Sequence, residues 1–309
     1  MSRAHFRPGT YVFTDIDRLD ARSRLEAGRL FLHLQRAGCR VLNNPALVQT
    51  RYSLLRSLYR AGVNRFHAYR VEELPPKICF PAFLRSCHEH GKPLSDLIPS
   101  WDVLHGVIQA ALAAGHPVEH LIVVEYAAEE VRPRCFRKLS AFKIGDSITP
   151  FTTVHDSSWL VKAGQIGVAT EDDYLWEKEL IQSSPYRYAK LLNTVFKMAN
   201  IDYGRVDFGI VGDQPQIYEI NTNPHLVKPS KHPSRTRMEN NEWNWNLYLE
   251  AVARLNSHDA KIPVPAFKSA ALRQEPPSPL RKSIKRWTKK IQSFRSQTRS
   301  KLGKWVPCR

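Results

Sequence analysis

The chain has 309 residues, 42% of them hydrophobic, which is enough for two or three lobes with buried cores. No run approaches the length of a membrane span, and the opening MSRAHFRPGTYVF lacks the apolar segment of a signal peptide, so a membrane-embedded or exported protein is not expected. Net charge is +17, but residues 261 to 309 hold fourteen Lys and Arg against Glu275 alone and so carry +13 of it. The body is therefore near neutral, and the charge belongs to an appendage. Cys39, Cys79, Cys87, Cys135 and Cys308 are odd in number and scattered, with neither a disulfide ladder nor a paired CxxC zinc spacing. A reducing, cytoplasmic setting is expected.

In chain order, Tyr11-Val12-Phe13-Thr14 reads as a short strand. A helix follows, with Leu25, Leu30, Leu32 and Leu34 among its apolar residues, and ends near Gly38. Cys39-Arg40-Val41-Leu42 is a second strand, stopped by Asn43-Asn44-Pro45. Strand, helix and strand make one βαβ unit and predict a parallel pairing. Another helix is expected from Ala46 to Ala61, ended by Gly62, with Arg65 to Tyr69 leading out of it. Pro75-Pro76 breaks the chain before Ile78 to Arg85, which reads as an edge strand because of Pro81. Cys87-His88-Glu89-His90 has the letters of a metal cluster, but no partner pair at suitable spacing follows. The stretch from Ser86 to Lys92 reads instead as a loop with Gly91 as its flexible point. Trp101 to Ala114 is a helix, and Leu121 to Tyr126 a continuous apolar strand of the core. Phe136 to Ile148 is a hairpin about Gly145-Asp146. His155, Asp156, Trp159 and Lys162 follow in a segment that lines an acceptor pocket or is an ordinary loop. A helix from Tyr186 to Asn200 packs through Leu191, Leu192, Val195 and Phe196.

The stretch from Tyr203 to Leu226, YGRVDFGIVGDQPQIYEINTNPHL, carries the most chemistry. It reads as two strands joined at Gly212-Asp213-Gln214. Alternation puts Arg205, Asp207 and Gly209 on one face of the first strand and Ile217, Glu219 and Asn221 on one face of the second, with Tyr218 and Ile220 turned away. Closure about Asp213 sets Asp207 across from Glu219 and Arg205 across from Asn221. Two carboxylates directly opposite repel, and a one-residue slip would separate them. A divalent cation between them would account for the arrangement. Asp207, Glu219 and the Asn221 amide are hard oxygen donors of the kind Mg2+ takes alongside waters and phosphates. The residues alone leave a solvated, exposed hairpin equally open.

R-V-D, a short hairpin and then E-I-N-T-N-P closely resemble the metal-binding hairpin of the ATP-grasp superfamily, which includes the D-alanine–D-alanine ligases. The resemblance implies that Asp207, Glu219 and Asn221 hold Mg2+ with ATP, and that Arg205 faces the transferred phosphoryl group and the acyl intermediate. It extends over roughly residues 10 to 255 and implies an α/β fold with an N-terminal αβ domain, residues 1–70, and a two-lobed ATP-grasp domain, residues 71–260. The hinge would lie near 124–130, with Tyr126 and Ala127 at adenine and Glu129 or Glu130 at ribose. Arg51, with Arg56 as the lesser choice, and Arg85 would stand where the family has phosphate-binding lysines; a guanidinium fork pairs well with phosphate oxygens. Arg137, with Lys143 as alternative, would be a further substrate or phosphate cation, and His90 and Lys92 would be loop contacts. Lys228, Lys231, Arg235 and Arg237 would hold an anionic substrate or form a solvated run.

Residues 261–309 divide into a proline-rich linker, 262–279, and a basic amphipathic segment. In that segment Leu280, Ile284, Trp287, Ile291 and Phe294 recur at helical spacing among Lys and Arg. Such a segment suits an anionic membrane surface or a protein partner through 280–305, and nucleic acid less well, because the apolar stripe has no role along a phosphate backbone. The function the resemblance implies is Mg–ATP-dependent ligation of a carboxylate to an amine or related nucleophile through an acyl phosphate. The acceptor would be a small molecule or peptide. The alternatives are a small-molecule kinase on the same fold and a non-catalytic nucleotide-binding protein at the membrane.

Overall fold

The computed structural model describes residues 2–88, 91–226, 231–255 and 264–269. The chain packs as two units. In the smaller, formed by residues 1–5 and 266–309, strand β1 (Ser2–Ala4) pairs antiparallel with the chain's last strand, Phe267–Ser269. The basic segment and most of its linker lie outside the described residues. Among the described residues no helix is long and apolar enough to cross a membrane.

The larger unit, residues 6–265, begins with β2 (Thr10–Val12), α1 (Ala21–Arg36) and β3 (Arg40–Leu42), and β2 and β3 pair in parallel as the βαβ pattern requires. Asp20 caps α1 through Ser23 N at 2.7 Å, and Gly38 makes the exit turn with φ +78°. The helix buries Phe31 and Leu34, whereas Leu25 and Leu32 face outward. Helix α2 (Arg51–Arg60) starts five residues later than expected. Residues 46–50 are held out of the helix by the Asn44 side chain, which accepts Ala46 N at 3.0 Å, and Thr50 supplies the cap.

Strands β4 (Ala68–Arg70), β5 (Ala82–Ser86) and β6 (Leu121–Glu125) form an antiparallel sheet in the order β4-β6-β5. The apolar run of β6 is central and wholly buried, and β5 is an edge. One face packs on α3 (Trp101–Ala113) through Leu84, Leu104 and Val123. The other face receives Tyr52 and Leu55 of α2. Since β4 belongs to this sheet, a domain boundary at residue 70 would cut through it.

The second sheet contains β7 (Glu130–Arg132), β8 (Cys135–Ile144), β9 (Ser147–Pro150), β10 (Val154–Asp156), β11 (Tyr203–Val211) and β12 (Gln214–Asn221). Its order is β10-β8-β11-β12, with β7 and β9 also on β8. Helices α4 (Glu171–Gln182) and α5 (Ala189–Ala199) back it, and the core there joins Leu192, Val195 and Phe196 to Leu139, Val206 and Phe208. Helix α6 (Arg235–Leu255) covers Phe142 and Ile144 with Tyr248, Ala251 and Leu255.

Behind this sheet lies a polar core. Glu177, fully buried, meets Arg237 Nη1 at 2.7 and 2.6 Å, and Arg237 Nη2 donates to Thr153 O at 2.6 Å. Arg237 is therefore a structural tie between α6, α4 and the segment leading into β10, and not a substrate cation. Arg235 is exposed and bonded to Glu239, and Lys228 lies outside the described residues. His155 Nε2 sits 3.8 Å from Asp173, and burial pushes its imidazole down to about 4, against the pull of Asp173. The unfolded chain protonates this histidine near 6.5, whereas the folded chain resists until about 4. Stability is therefore lost as pH falls through that window, by at most ~3 kcal/mol. Urea midpoints between neutrality and the acid end should fall accordingly, and His155→Gln should flatten that profile. An unaltered profile in the variant would assign the loss to other groups.

Candidate active site

The hairpin β11–β12 sets the geometry. Arg205 pairs with Asn221 and Asp207 with Glu219, as the sequence predicts, but the register shifts between Asp207 and Phe208, and the remaining pairs close around a two-residue turn, Gly212-Asp213. Tyr218 is the extra residue of a β-bulge, which re-aims side chains on its strand. Ile217 consequently enters the core and Tyr218 turns toward the cleft, both opposite to the simple alternation. Tyr218 Oη donates to Ala127 O at 2.9 Å, tying the hairpin to the segment after β6. A Cβ on Gly209 would overlap that hydroxyl and stand 2.9 Å from Cζ. Gly209→Ala should therefore displace the ring and cost ~1–3 kcal/mol. A wild-type denaturation midpoint in that variant would contradict the close approach.

Between the two sheets lies a cavity of about 300 Å³. One end is apolar and aromatic, walled by Phe66, Phe83, Val124, Tyr126, Ala127 and Tyr218. Trp159 closes over it, its ring centroid 5.1 Å from Phe83 and 5.8 Å from Tyr126. The other end is charged and includes Arg85, Lys138, Lys162, Arg205, Asp207 and Glu219. Asp207 is only 3% exposed; it accepts Arg205 Nε at 2.9 Å, and Lys138 Nζ lies 3.0 Å from its other oxygen. Glu219 is paired with Arg51 and lies 3.9 Å from Arg85 Nη2. Cations thus offset the repulsion of the opposed carboxylates. Burial, and then the neighbouring Arg51, bring Arg85 down to about 10, and burial lowers Lys162.

Tyr126, Ala127, Glu129, Arg85, Arg205, Asp207, Glu219 and Asn221 all border the cavity. Glu129 accepts the Gly212 amide. Glu130 is an exposed residue of β7. Arg51 meets the site through its ion pair with Glu219, and Arg56 is bonded to Tyr52 and Glu73 instead. Arg137 and Lys143 require correction. Arg137 borders the cavity, but its guanidinium lies 3.5 Å from the Trp176 ring centroid. Lys143 donates to Asn193 of α5 at 2.6 Å, and burial lowers its ammonium. Both odd-numbered positions of β8 turn to the helices, and the cation that enters the cleft is Lys138 between them. Lys138 shares its face with Ser140, which pairs with Asp207, a register that the sequence pattern does not give. Trp159 and Lys162 line the cavity, whereas His155 and Asp156 do not. His90 and Glu89 lie outside the described residues.

Among the described residues no three His, Cys, Asp or Glu converge as a metal cage. Two opposed carboxylates and the Asn221 amide instead fit a hard cation that completes its shell with waters and phosphate oxygens, as Mg2+ does. The fold and cleft define an α/β protein whose cavity has an aromatic end and a charged end, the architecture the ATP-grasp resemblance implies. The structure of D-alanine–D-alanine ligase from Bacillus anthracis complexed with ATP is similar at 11% identity and a TM-score of 0.43, covering 81% of this chain and 99% of that one. The corresponding ligase from Helicobacter pylori is similar at 11% identity and 0.42, covering 75% and 69%. A RimK domain ATP-grasp protein from Sphaerobacter thermophilus is similar at 14% and 0.38, covering 69% and 90%. No family model and no curated protein matches the chain. At these TM-scores the chemistry rests on the side chains alone.

Proposed function

We propose that the chain is an Mg–ATP-dependent ligase joining a carboxylate to an amine or related nucleophile, with release of ADP and phosphate. The observation that supports it most is the pairing of Asp207 with Glu219 across the hairpin, in a cleft whose far end is aromatic. Such a cleft suits a nucleotide, with its base against the aromatic wall of Phe83, Tyr126 and Trp159 and its phosphates toward Arg85, Lys138 and Lys162. A metal bound by Asp207, Glu219 and Asn221 would neutralise phosphate charge. Arg205 and Lys138, now held on Asp207, would then turn to the oxygens on which charge grows. The substrate carboxylate attacks the γ-phosphorus and ADP leaves. The nucleophile then attacks the acyl carbon and phosphate leaves, so no enzyme nucleophile is required. Turnover of ATP with pooled small carboxylates and amines tests this reading. Free phosphate appearing one for one with ADP supports a ligase, a stable phosphorylated product supports a kinase, and binding without turnover supports a non-catalytic role.

A further inference from the structure

Helix α1 has an outer face that the cleft does not explain. Its inner side is Gly28, Phe31 and Leu34. On the outer side Arg22, Leu25, Arg29, Leu32 and Arg36 recur at alternating intervals of three and four, which makes one continuous stripe. All five are exposed, Leu25 at 56% and Leu32 at 43%. The helix's remaining arginine, Arg24, is turned inward to the carbonyls of Pro45 and Val48. Its one acid, Glu26, sits beside the stripe and bonds Arg29 at 2.8 Å. Basic and large apolar side chains thus alternate along about four turns of helix, open to solvent.

The larger unit also ends at this helix. His33 Nε2 lies 2.7 Å from Pro265 O, and Val264 packs with Leu34 and Cys39. His33 and Arg29 are four positions apart and therefore adjacent on the helix surface. Val264 and Pro265, the last residues of the larger unit, thus lie against α1.

From the stripe and its charge we infer that the outer face of α1 is a docking surface for an anionic lipid bilayer. Leu25 and Leu32 enter the boundary between headgroups and acyl chains, and Arg22, Arg29 and Arg36 meet the anionic headgroups. A second copy of the chain does not suit this face, because a symmetric contact would set arginine against arginine. A nucleic acid would use the arginines and leave the leucines idle. The inference is independent of what the cleft binds.

The test is co-sedimentation of the full chain with vesicles of equal parts phosphatidylcholine and phosphatidylserine. Arg22→Glu with Arg29→Glu and Arg36→Glu should weaken binding by well over tenfold, at about fivefold or more per reversed charge. Leu25→Ser with Leu32→Ser leaves the charge unchanged and should weaken it by about tenfold. Thermal melts of both variants should match the parent, since all five side chains are exposed. Vesicle binding equal to the parent in either variant would overturn the inference. So would a parent that ignores the vesicles but binds duplex DNA or polyglutamate through the same arginines.

Discussion

Asp207→Asn and Glu219→Gln are each expected to lower Mg2+-dependent ATP turnover on the order of a hundredfold or more, since each removes a charged donor from a site that must gather phosphate charge. The sequence alone suggests a compensating gain, because two opposed carboxylates repel. The structure removes that expectation. Asp207 lies between Arg205 and Lys138, and Glu219 is paired with Arg51, so neutralising either acid takes a counter-charge away from partly or fully buried cations. Asp207→Asn should therefore cost ~1–3 kcal/mol of stability. Glu219→Gln should cost less, its side chain being 26% exposed against 5% for Asp207. Denaturant midpoints and steady-state turnover measured on the same preparations check both claims. Full activity in either variant would remove the basis of the proposed chemistry.

The parts of the fold that were legible were those where one local rule acted alone. The β2–α1–β3 unit, the buried strand β6 and the hairpin of β8 and β9 follow from apolar pattern and turn glycines. Helix α6 was not legible, because the side it buries carries Arg237, Asn240 and Asn244. Their N–H groups are met by α4 and the residue after β9, through Glu177, Tyr174 O and Phe151 O. With the first half of the buried face polar, the apolar period is left to Tyr248, Ala251 and Leu255 alone, too short a run to mark the helix. At the site, the opposed pairs were legible and the bulge was not. A bulge at Tyr218 is an accommodation between strand and neighbours, and nothing in IYEIN marks it. Arg137 shows a related limit. Residue type singled out Arg137, with Lys143 as alternative, but only the register of β8 against β11 sets Lys138 beside Asp207 and leaves Arg137, also at the cavity wall, over Trp176.

Arg205→Ala is expected to lower turnover far more than it weakens nucleotide binding. Arg205 lies two residues before Asp207 on β11 and directly across from Asn221, and its Nε donates to Asp207 at 2.9 Å. When a nucleotide occupies the cleft, Arg85, Lys138 and Lys162 still face its phosphates, so ground-state affinity should fall only about tenfold or less. Charge accumulates later, on the transferred phosphoryl oxygens and on the oxyanion formed when the nucleophile adds to the acyl phosphate. A fixed donor there contributes about a hundredfold to a thousandfold in rate. Arg205→Lys should recover only part of that, because one ammonium cannot reproduce the two parallel bonds of a guanidinium. The measurement is kcat set beside the Kd for a non-hydrolysable ATP analogue, with ADP and phosphate counted separately. Equal losses in the two constants would make Arg205 a simple nucleotide contact. If phosphate remains covalently on a stable product in the parent enzyme, the acyl-phosphate step is absent, and Arg205 serves phosphoryl transfer in a kinase.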